Sequence, residues 1–104
     1  MAVVISVYDG NGFKHHLRAE GDNPNLIGFH YAMDRVGVET LKDSYCETDL
    51  HYASTPGRGL KNPPIPKGTK LTALDYWRNF YGEYFHVMYN GKPYDISVQN
   101  VRVI

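Results

Sequence analysis

The sequence predicts a small, mostly-β domain whose main part is a β-barrel at residues 49–104. Apolar and polar residues alternate with a period of two over several short segments, as in half-buried strands. Clusters of Gly, Pro and Asn separate these segments and are typical of turns. The chain has nine Tyr, four Phe and one Trp, and eight of these aromatics lie between Tyr76 and Tyr94. Aromatic residues are enriched in strands, so this distribution also favours a β fold.

The chain begins with a predicted hairpin. Residues 3–8 and 13–18 are β-rich and flank the Gly-rich turn Asp9-Gly-Asn-Gly12. Val3, Ile5 and Val7 give the first strand one apolar face. We therefore expect this hairpin to bury that face against the rest of the domain.

The next segment has two interpretations. After a breaker cluster at residues 20–25, apolar residues recur at the spacing of one helical face, and Gly37 follows as a stop signal. This pattern predicts a short helix over residues 26–37. A strand over residues 29–38 is the alternative, because residues 29, 31 and 33 also alternate. The apolar residues at helical spacing are Leu26, Phe29, Met33 and Val36.

Residues 70–77 follow the turn cluster Pro66-Lys-Gly-Thr69 and form the first predicted barrel strand with a clear alternation. Leu71 and Ala73 fall on one face, and a second set falls on the other. We expect that strand to have one buried and one outward face. The second set is Thr72, Leu74 and Tyr76.

Residues 84–89 form the next strand and run into Asn90-Gly91, the best two-residue signal for a type I′ hairpin turn. The return strand has one apolar face, and residues 101–104 form a last short strand. The alternation separates Phe85, Val87 and Tyr89 from Tyr84, His86 and Met88, and it groups Tyr94, Ile96 and Val98.

Three segments in order resemble the bacterial Src-homology-3-like domain. They are Leu50-His-Tyr-Ala-Ser-Thr-Pro-Gly57, Ile65-Pro-Lys-Gly-Thr-Lys-Leu71 and Tyr84-Phe-His-Val-Met-Tyr-Asn-Gly-Lys92. The resemblance covers about the second half of the chain and implies a Src-homology-3-like barrel there. Tyr84 stands where the family usually has Trp, and Tyr94-Asp95 replaces a Gly-aromatic pair. The full expectation is one domain, with residues 1–48 as a hairpin-plus-helix extension of the barrel at 49–104.

Size, charge and cysteine content limit the possible functions. A chain of 104 residues is long enough to fold as one domain without metal or disulfide support. Its 11 basic and 11 acidic residues cancel, so total charge favours neither nucleic acid nor a membrane surface as partner. Cys46 is the single cysteine, and the N-terminal residues lack a basic region and a long apolar run. These features predict a cytoplasmic location.

No motif predicts catalysis, a cofactor or a metal site. Cys46 and His51 could form an activated thiolate only within hydrogen-bond reach and with a third orienting group, which the sequence does not supply. His15 and His16 are adjacent on a predicted strand, so their side chains should point to opposite faces. Catalytic residues, metal ligands and cofactors are therefore each predicted as none.

The aromatic residues carry the functional prediction. They exceed what one face of a small barrel can bury, so some must point outward and form a binding surface. The predicted function is non-enzymatic binding of another protein or peptide, with Trp77 and Tyr84 both partly exposed. Packing of the outward aromatics under residues 1–48 is the structural alternative. The predicted binding residues are Tyr76, Trp77, Arg78, Tyr81, Tyr84, His86 and Arg58.

Two other functions stay open. One is a small phage or mobile-element protein that inhibits or recruits a host protein, which would suit the size of the chain. The other is a nucleic-acid contact module, because residues 55–74 form a basic, acid-free run beside aromatics that could stack on bases. The basic residues of that run are Arg58, Lys61, Lys67 and Lys70.

Overall fold

The computed structural model describes residues 2–21, 31–47 and 62–104. These residues form one antiparallel sheet of seven strands, in the order β1-β2-β3-β4-β5-β6, with β7 paired to β3. The mostly-β prediction is therefore confirmed. The strands are β1 (Ala2–Tyr8), β2 (Lys14–Glu20), β3 (Tyr31–Thr40), β4 (Lys70–Arg78), β5 (Glu83–Tyr89), β6 (Lys92–Ser97) and β7 (Val101–Val103), and a 3₁₀ turn spans Val98–Asn100.

Strand β3 is the central element of the sheet. Along one edge it pairs with β4, and along the other it pairs with β2 at Met33 and with β7 at residues 38–40. The predicted division between residues 1–48 and 49–104 therefore does not match a boundary in the sheet, because β3 belongs to the first segment and pairs with strands of the second. Between the outermost strands β1 and β6 no pairing occurs in the described residues, so the sheet is not closed there.

The helix predicted over residues 26–37 is wrong for residues 31–37, which belong to β3. The alternative strand is confirmed for residues 31–38, and residues 26–30 lie outside the described residues. Ala32 pairs with Asp75 and Val36 pairs with Ala73, so four steps along β3 oppose two along β4. The resulting irregularity sets Met33 and Val36 three residues apart while both pack against the core, which imitates a helical period.

The predicted N-terminal hairpin is confirmed by the pairing of β1 with β2. Ile5 and Val7 are buried, and the β2 residues Leu17 and Ala19 are buried beside them. The hairpin packs onto the end of the chain at Gly10, whose N–H donates to the Val101 carbonyl at 2.7 Å. The sheet therefore carries the hairpin on the β7 side of β3.

Asp9 connects the same hairpin to β7. Its buried carboxylate accepts hydrogen bonds from the amides of Asn11 and Phe13 at 3.0 and 3.1 Å, which closes the turn. The other oxygen lies 2.8 Å from His15 Nε2 and accepts from the Val103 amide at 3.3 Å. One side chain thus satisfies donors from the turn, from β2 and from β7, as a buried carboxylate requires.

A bulge in β4 changes which side chains face the core. Ala73 pairs with Val87, but Asp75 already pairs with His86, so Leu74 is the extra residue. The predicted alternation holds up to Leu74 and then shifts by one, which turns Tyr76 inward beside Ala73. Tyr76 is 1% exposed, so the outward position on which its prediction as a binding residue rested is wrong.

The second predicted hairpin, β5–β6, is confirmed. Asn90 and Gly91 have φ angles of +50° and +75°, the positive values that a type I′ turn needs at both positions. Phe85 and Val87 of β5 are buried as expected. Tyr94, Ile96 and Val98 share one buried face, as the alternation predicted.

The turn before β4 is tied to the end of β3 by Thr40. Its buried hydroxyl donates to the Pro66 carbonyl at 2.7 Å and accepts from the Thr69 amide at 2.9 Å. Ser44 and Ile65 form an isolated antiparallel bridge below this turn, and the Ile65 side chain is buried. The predicted turn at residues 66–69 is therefore ordered by contacts with β3.

We expect Asp9→Asn to flatten the dependence of the unfolding free energy on pH. Burial acts to raise the pKa of Asp9, but the hydrogen bonds from His15 and from three backbone amides together outweigh it and lower this pKa. A carboxyl with a lowered folded pKa stabilises the fold above its unfolded pKa of about 3.9, and this contribution is lost as pH falls through the folded value.

Urea unfolding at several pH values between about 7 and 3 measures this effect. The exposed Asp34 gives a matched control, because Asp34→Asn removes a carboxyl that makes no hydrogen bond in the described part of the chain. If the unfolding free energies of the parent protein and Asp9→Asn changed in parallel with pH, that result would contradict the role given to Asp9.

Candidate functional site

The aromatic turn, residues Asn79–Gly82 between β4 and β5, holds the two most exposed large hydrophobic side chains of the described residues. Phe80 is 88% exposed and Tyr81 is 84% exposed. Single exposed apolar residues are normal, but two adjacent aromatics on one tight turn form a patch that indicates an interaction site. This turn is the candidate site.

Asn79 orders the aromatic turn through one oxygen atom. Its Oδ1 accepts hydrogen bonds from the amides of Tyr81 and Gly82 at 2.8 and 3.0 Å, in the manner of an Asx turn. The same oxygen accepts a hydrogen bond from the Tyr84 hydroxyl at 3.1 Å. The backbone N–H of Asn79 donates to the Gly82 carbonyl at 3.0 Å. The backbone that carries Phe80 and Tyr81 is therefore held by four hydrogen bonds.

A pair of stacked rings supports the turn from the adjoining strands. Trp77 and Tyr84 are direct cross-strand partners, with ring centroids 4.5 Å apart and planes tilted by 32°. Trp77 is half-buried, as predicted, but Tyr84 is only 7% exposed, so the predicted exposure of Tyr84 is wrong. Burial and then the charge of Glu47 raise the pKa of Tyr84. Tyr84 thus supports the turn from below.

Asp95 of β6 fixes the polar edge of this ring pair. Its Oδ1 accepts from Trp77 Nε1 at 3.1 Å and lies 3.1 Å from His86 Nδ1. Because a carboxylate only accepts hydrogen bonds, this contact favours the His86 tautomer that carries its proton on Nδ1. The Asp95 amide in turn donates to Cys46 Sγ at 3.4 Å. Trp77 and His86 are therefore both oriented by one carboxylate.

The structure brings together five of the seven predicted binding residues around the aromatic turn, although one of them is buried. Trp77, Arg78 and His86 are half-buried beside it, Tyr81 is exposed on it, and Tyr84 lies beneath it. Tyr76 faces the core, where its hydroxyl donates to Glu83 at 2.6 Å. Burial first, and then the Glu83 carboxylate, raise the pKa of Tyr76. Arg58 lies outside the described residues.

Phe80 is the residue of the candidate site that the alternation analysis did not assign. It lies between two strands, where period-two reasoning has no meaning. The signal that could have found it is the turn pattern itself, since Asn79 and Gly82 frame two aromatics where polar residues are usual. Two adjacent aromatics in a turn segment predict exposed side chains more directly than aromatics in a strand do.

The other residues considered for catalysis or metal binding make structural contacts where the structure describes them. Cys46 is 7% exposed and packs in the core, and His51 lies outside the described residues. His15 and His16 do point to opposite faces, because His15 contacts Asp9 and His16 lies 2.9 Å from the Ser6 hydroxyl. Over residues 2–21, 31–47 and 62–104, no group of three His, Cys, Asp or Glu side chains could hold a metal ion.

Comparison of the chain with protein-family models, with curated proteins and with solved structures gave no match. In the part of the chain that the structure describes, no helix has the length and apolar character to cross a bilayer.

We expect Asn79→Ala to lower the unfolding free energy by about 1 to 2 kcal/mol, because three donors lose their common acceptor at a partly exposed site. Asn79→Asp keeps an oxygen at the Oδ1 position and is the matched control, with a smaller loss. Urea unfolding of the three proteins measures the difference. Equal losses in both variants would show that the Oδ1 acceptor does not hold the turn.

Proposed function

We propose that this protein is a non-enzymatic binding module for another protein or a peptide, and that the aromatic turn is its main contact. The observation that carries the proposal is the exposure of Phe80 and Tyr81 on a turn that Asn79 holds in one conformation. The backbone order and the aromatic exposure occur on the same four residues.

The energetics of association favour such a turn. An aromatic side chain buries about 150 to 250 Å² and adds little conformational entropy cost, and aromatic residues are enriched among the residues that dominate binding energy. Because the turn is ordered before the partner arrives, less backbone entropy is lost on binding. The hydroxyl of Tyr81 and the cation of Arg78 supply polar contacts at the rim.

The resemblance to the bacterial Src-homology-3-like domain belongs to this proposal as its fold component. Strands β3 to β6 form an antiparallel meander, and after the 3₁₀ turn the chain returns to pair β7 with β3. This return brings the end of the meander back to its beginning, which supports a partly open barrel. Under this proposal the barrel strands begin at β3 and not at residue 49.

A cytoplasmic location is also part of the proposal. Its support is the single cysteine, whose buried thiol needs no oxidising compartment. A phage or mobile-element protein that binds a host protein would use the same aromatic turn. The identity of the partner distinguishes this role from that of a resident adaptor.

The test is affinity capture from extract of the native cells, with the tagged protein and two matched variants. Phe80→Ser with Tyr81→Ser removes both aromatics of the turn, whereas Phe13→Ser removes an aromatic that is 66% exposed on the other hairpin. We expect a partner protein that the parent and Phe13→Ser retain and the double variant loses. With the purified partner, the double variant should lose about 2 kcal/mol or more of binding free energy.

Two results would contradict the proposal. A partner retained equally by all three proteins would show that the aromatic turn is not the contact. Capture of nucleic acid, with affinity that falls steeply as salt rises, would favour instead the basic run at residues 58–70. Within the described part of that run, Lys67 and Lys70 are exposed.

A further inference from the structure

A second surface of the sheet has its own ligand-binding features. An open groove of about 530 Å³ crosses the outer faces of β3, β4 and β5, a volume within the usual range of ligand sites. Leu74 at the β4 bulge and Met88 of β5 are 38% and 47% exposed in it, and Ile104 is 61% exposed. The lining residues are Arg35, Gly37, Lys70, Leu71, Thr72, Leu74, Met88 and Ile104.

The missing side chain of Gly37 leaves part of the groove open. Gly37 lies in β3 opposite Thr72, and its carbonyl accepts a hydrogen bond from the Ile104 amide at 2.9 Å. A side chain there would fill the space between these two neighbours, since a Cβ built on Gly37 would lie 3.8 Å from Ile104 Cβ, an ordinary contact. Glycine within a strand weakens the sheet and often marks close approach of another molecule to the backbone.

The charge of the groove has one sign. Arg35 and Lys70 line it, and no acidic residue does. Glu39 lies opposite Lys70 on the neighbouring strand, but its carboxylate forms an ion pair with Arg102, with Oε1 2.6 Å from Nε. In the described ranges neither Arg35 nor Lys70 takes part in an ion pair. The groove therefore combines an aliphatic lining with two available cations.

We propose that this groove binds an extended acidic peptide segment of a partner protein, with one aliphatic side chain seated over Gly37 and carboxylates beside Arg35 and Lys70. The two cations complement carboxylates, and Leu74, Met88 and Ile104 complement an aliphatic side chain. An open groove buries one face of an extended segment well, whereas a small molecule usually needs a site that encloses most of its surface.

This binding site is distinct from the aromatic turn and does not depend on the function proposed for it. The aromatic turn follows Arg78 and precedes Glu83, whereas Met88 lies at the far end of β5 and Leu74 lies in the middle of β4. A single partner could contact both surfaces, but each surface has its own chemistry. Variants at one of them can therefore be tested without changing the other.

The experiment uses a random dodecapeptide display library, selected on the immobilised full chain, followed by anisotropy titrations of the enriched peptides. Gly37→Leu fills the groove with an aliphatic side chain that the backbone accepts, and Arg35→Gln with Lys70→Gln neutralises the rim. We expect enriched peptides that pair Asp or Glu with Leu, Ile or Val, and a loss of about tenfold in affinity for each variant. Tyr81→Ser should leave these affinities unchanged.

The outcomes separate the two sites. A selection that enriches no peptide pairing an acidic with an aliphatic residue, or acidic peptides that bind Gly37→Leu as well as they bind the parent, would overturn the groove assignment. A selection in which every enriched peptide is lost with Tyr81→Ser but retained by Gly37→Leu would also overturn it, while supporting the aromatic turn as a peptide-binding surface. Circular dichroism and thermal unfolding confirm that each variant is folded.

Discussion

The hydrogen bonding of β3 on both of its edges is the constraint on which the rest of the structure depends. A strand with neighbours on one edge only would leave the N-terminal hairpin or β7 without a partner. Met33 pairs with β2, whereas Val38 pairs with β4 and β7 together. Asp9 reinforces this arrangement, because its carboxylate accepts from the β7 amide of Val103. The extension and the predicted barrel therefore share one core.

The shared core leaves the outer face of β4 and β5 accessible to solvent. Inward residues such as Tyr76 and Phe85 are fully buried, and the hydroxyl of Tyr76 is satisfied by Glu83. Leu74, the extra residue of the bulge, lies on the outer face and contributes to the groove, and the shift after it turns Tyr76 inward. At the C-terminal end of the same strand the chain leaves the sheet in the aromatic turn. One irregularity and one turn thus define two different surfaces on a single pair of strands.

Local signals in the sequence predicted the elements that local chemistry determines. Asn90-Gly91 needed no information from distant residues, because only its positive φ angles matter for the turn. The alternation of Tyr94 and Ile96 was equally local. The wrong predictions depended on pairing between distant strands. Extra residues in β3 produced a false helical spacing at Met33 and Val36, and the extra residue Leu74 in β4 reversed the face of Tyr76.

The candidate site followed the same division. The sequence identified the aromatic segment and five side chains around the turn, but it assigned their exposure by alternation alone. Tyr84 is covered because Trp77 stacks on it and Asn79 accepts a hydrogen bond from its hydroxyl, and both contacts need the folded hairpin. Phe80 was not assigned because a turn has no alternation. The contacts formed in the folded hairpin therefore decide which of these aromatics face solvent.

The central claim is that the aromatic turn is rigid before any partner binds. Backbone ¹⁵N relaxation of the free protein tests it most directly. The hydrogen bonds to Asn79 predict order parameters for Phe80 and Tyr81 close to those of β4 and β5, about 0.85. Values below about 0.6 at these two residues, with β4 and β5 ordered, would contradict the claim, because the turn would then be a flexible loop.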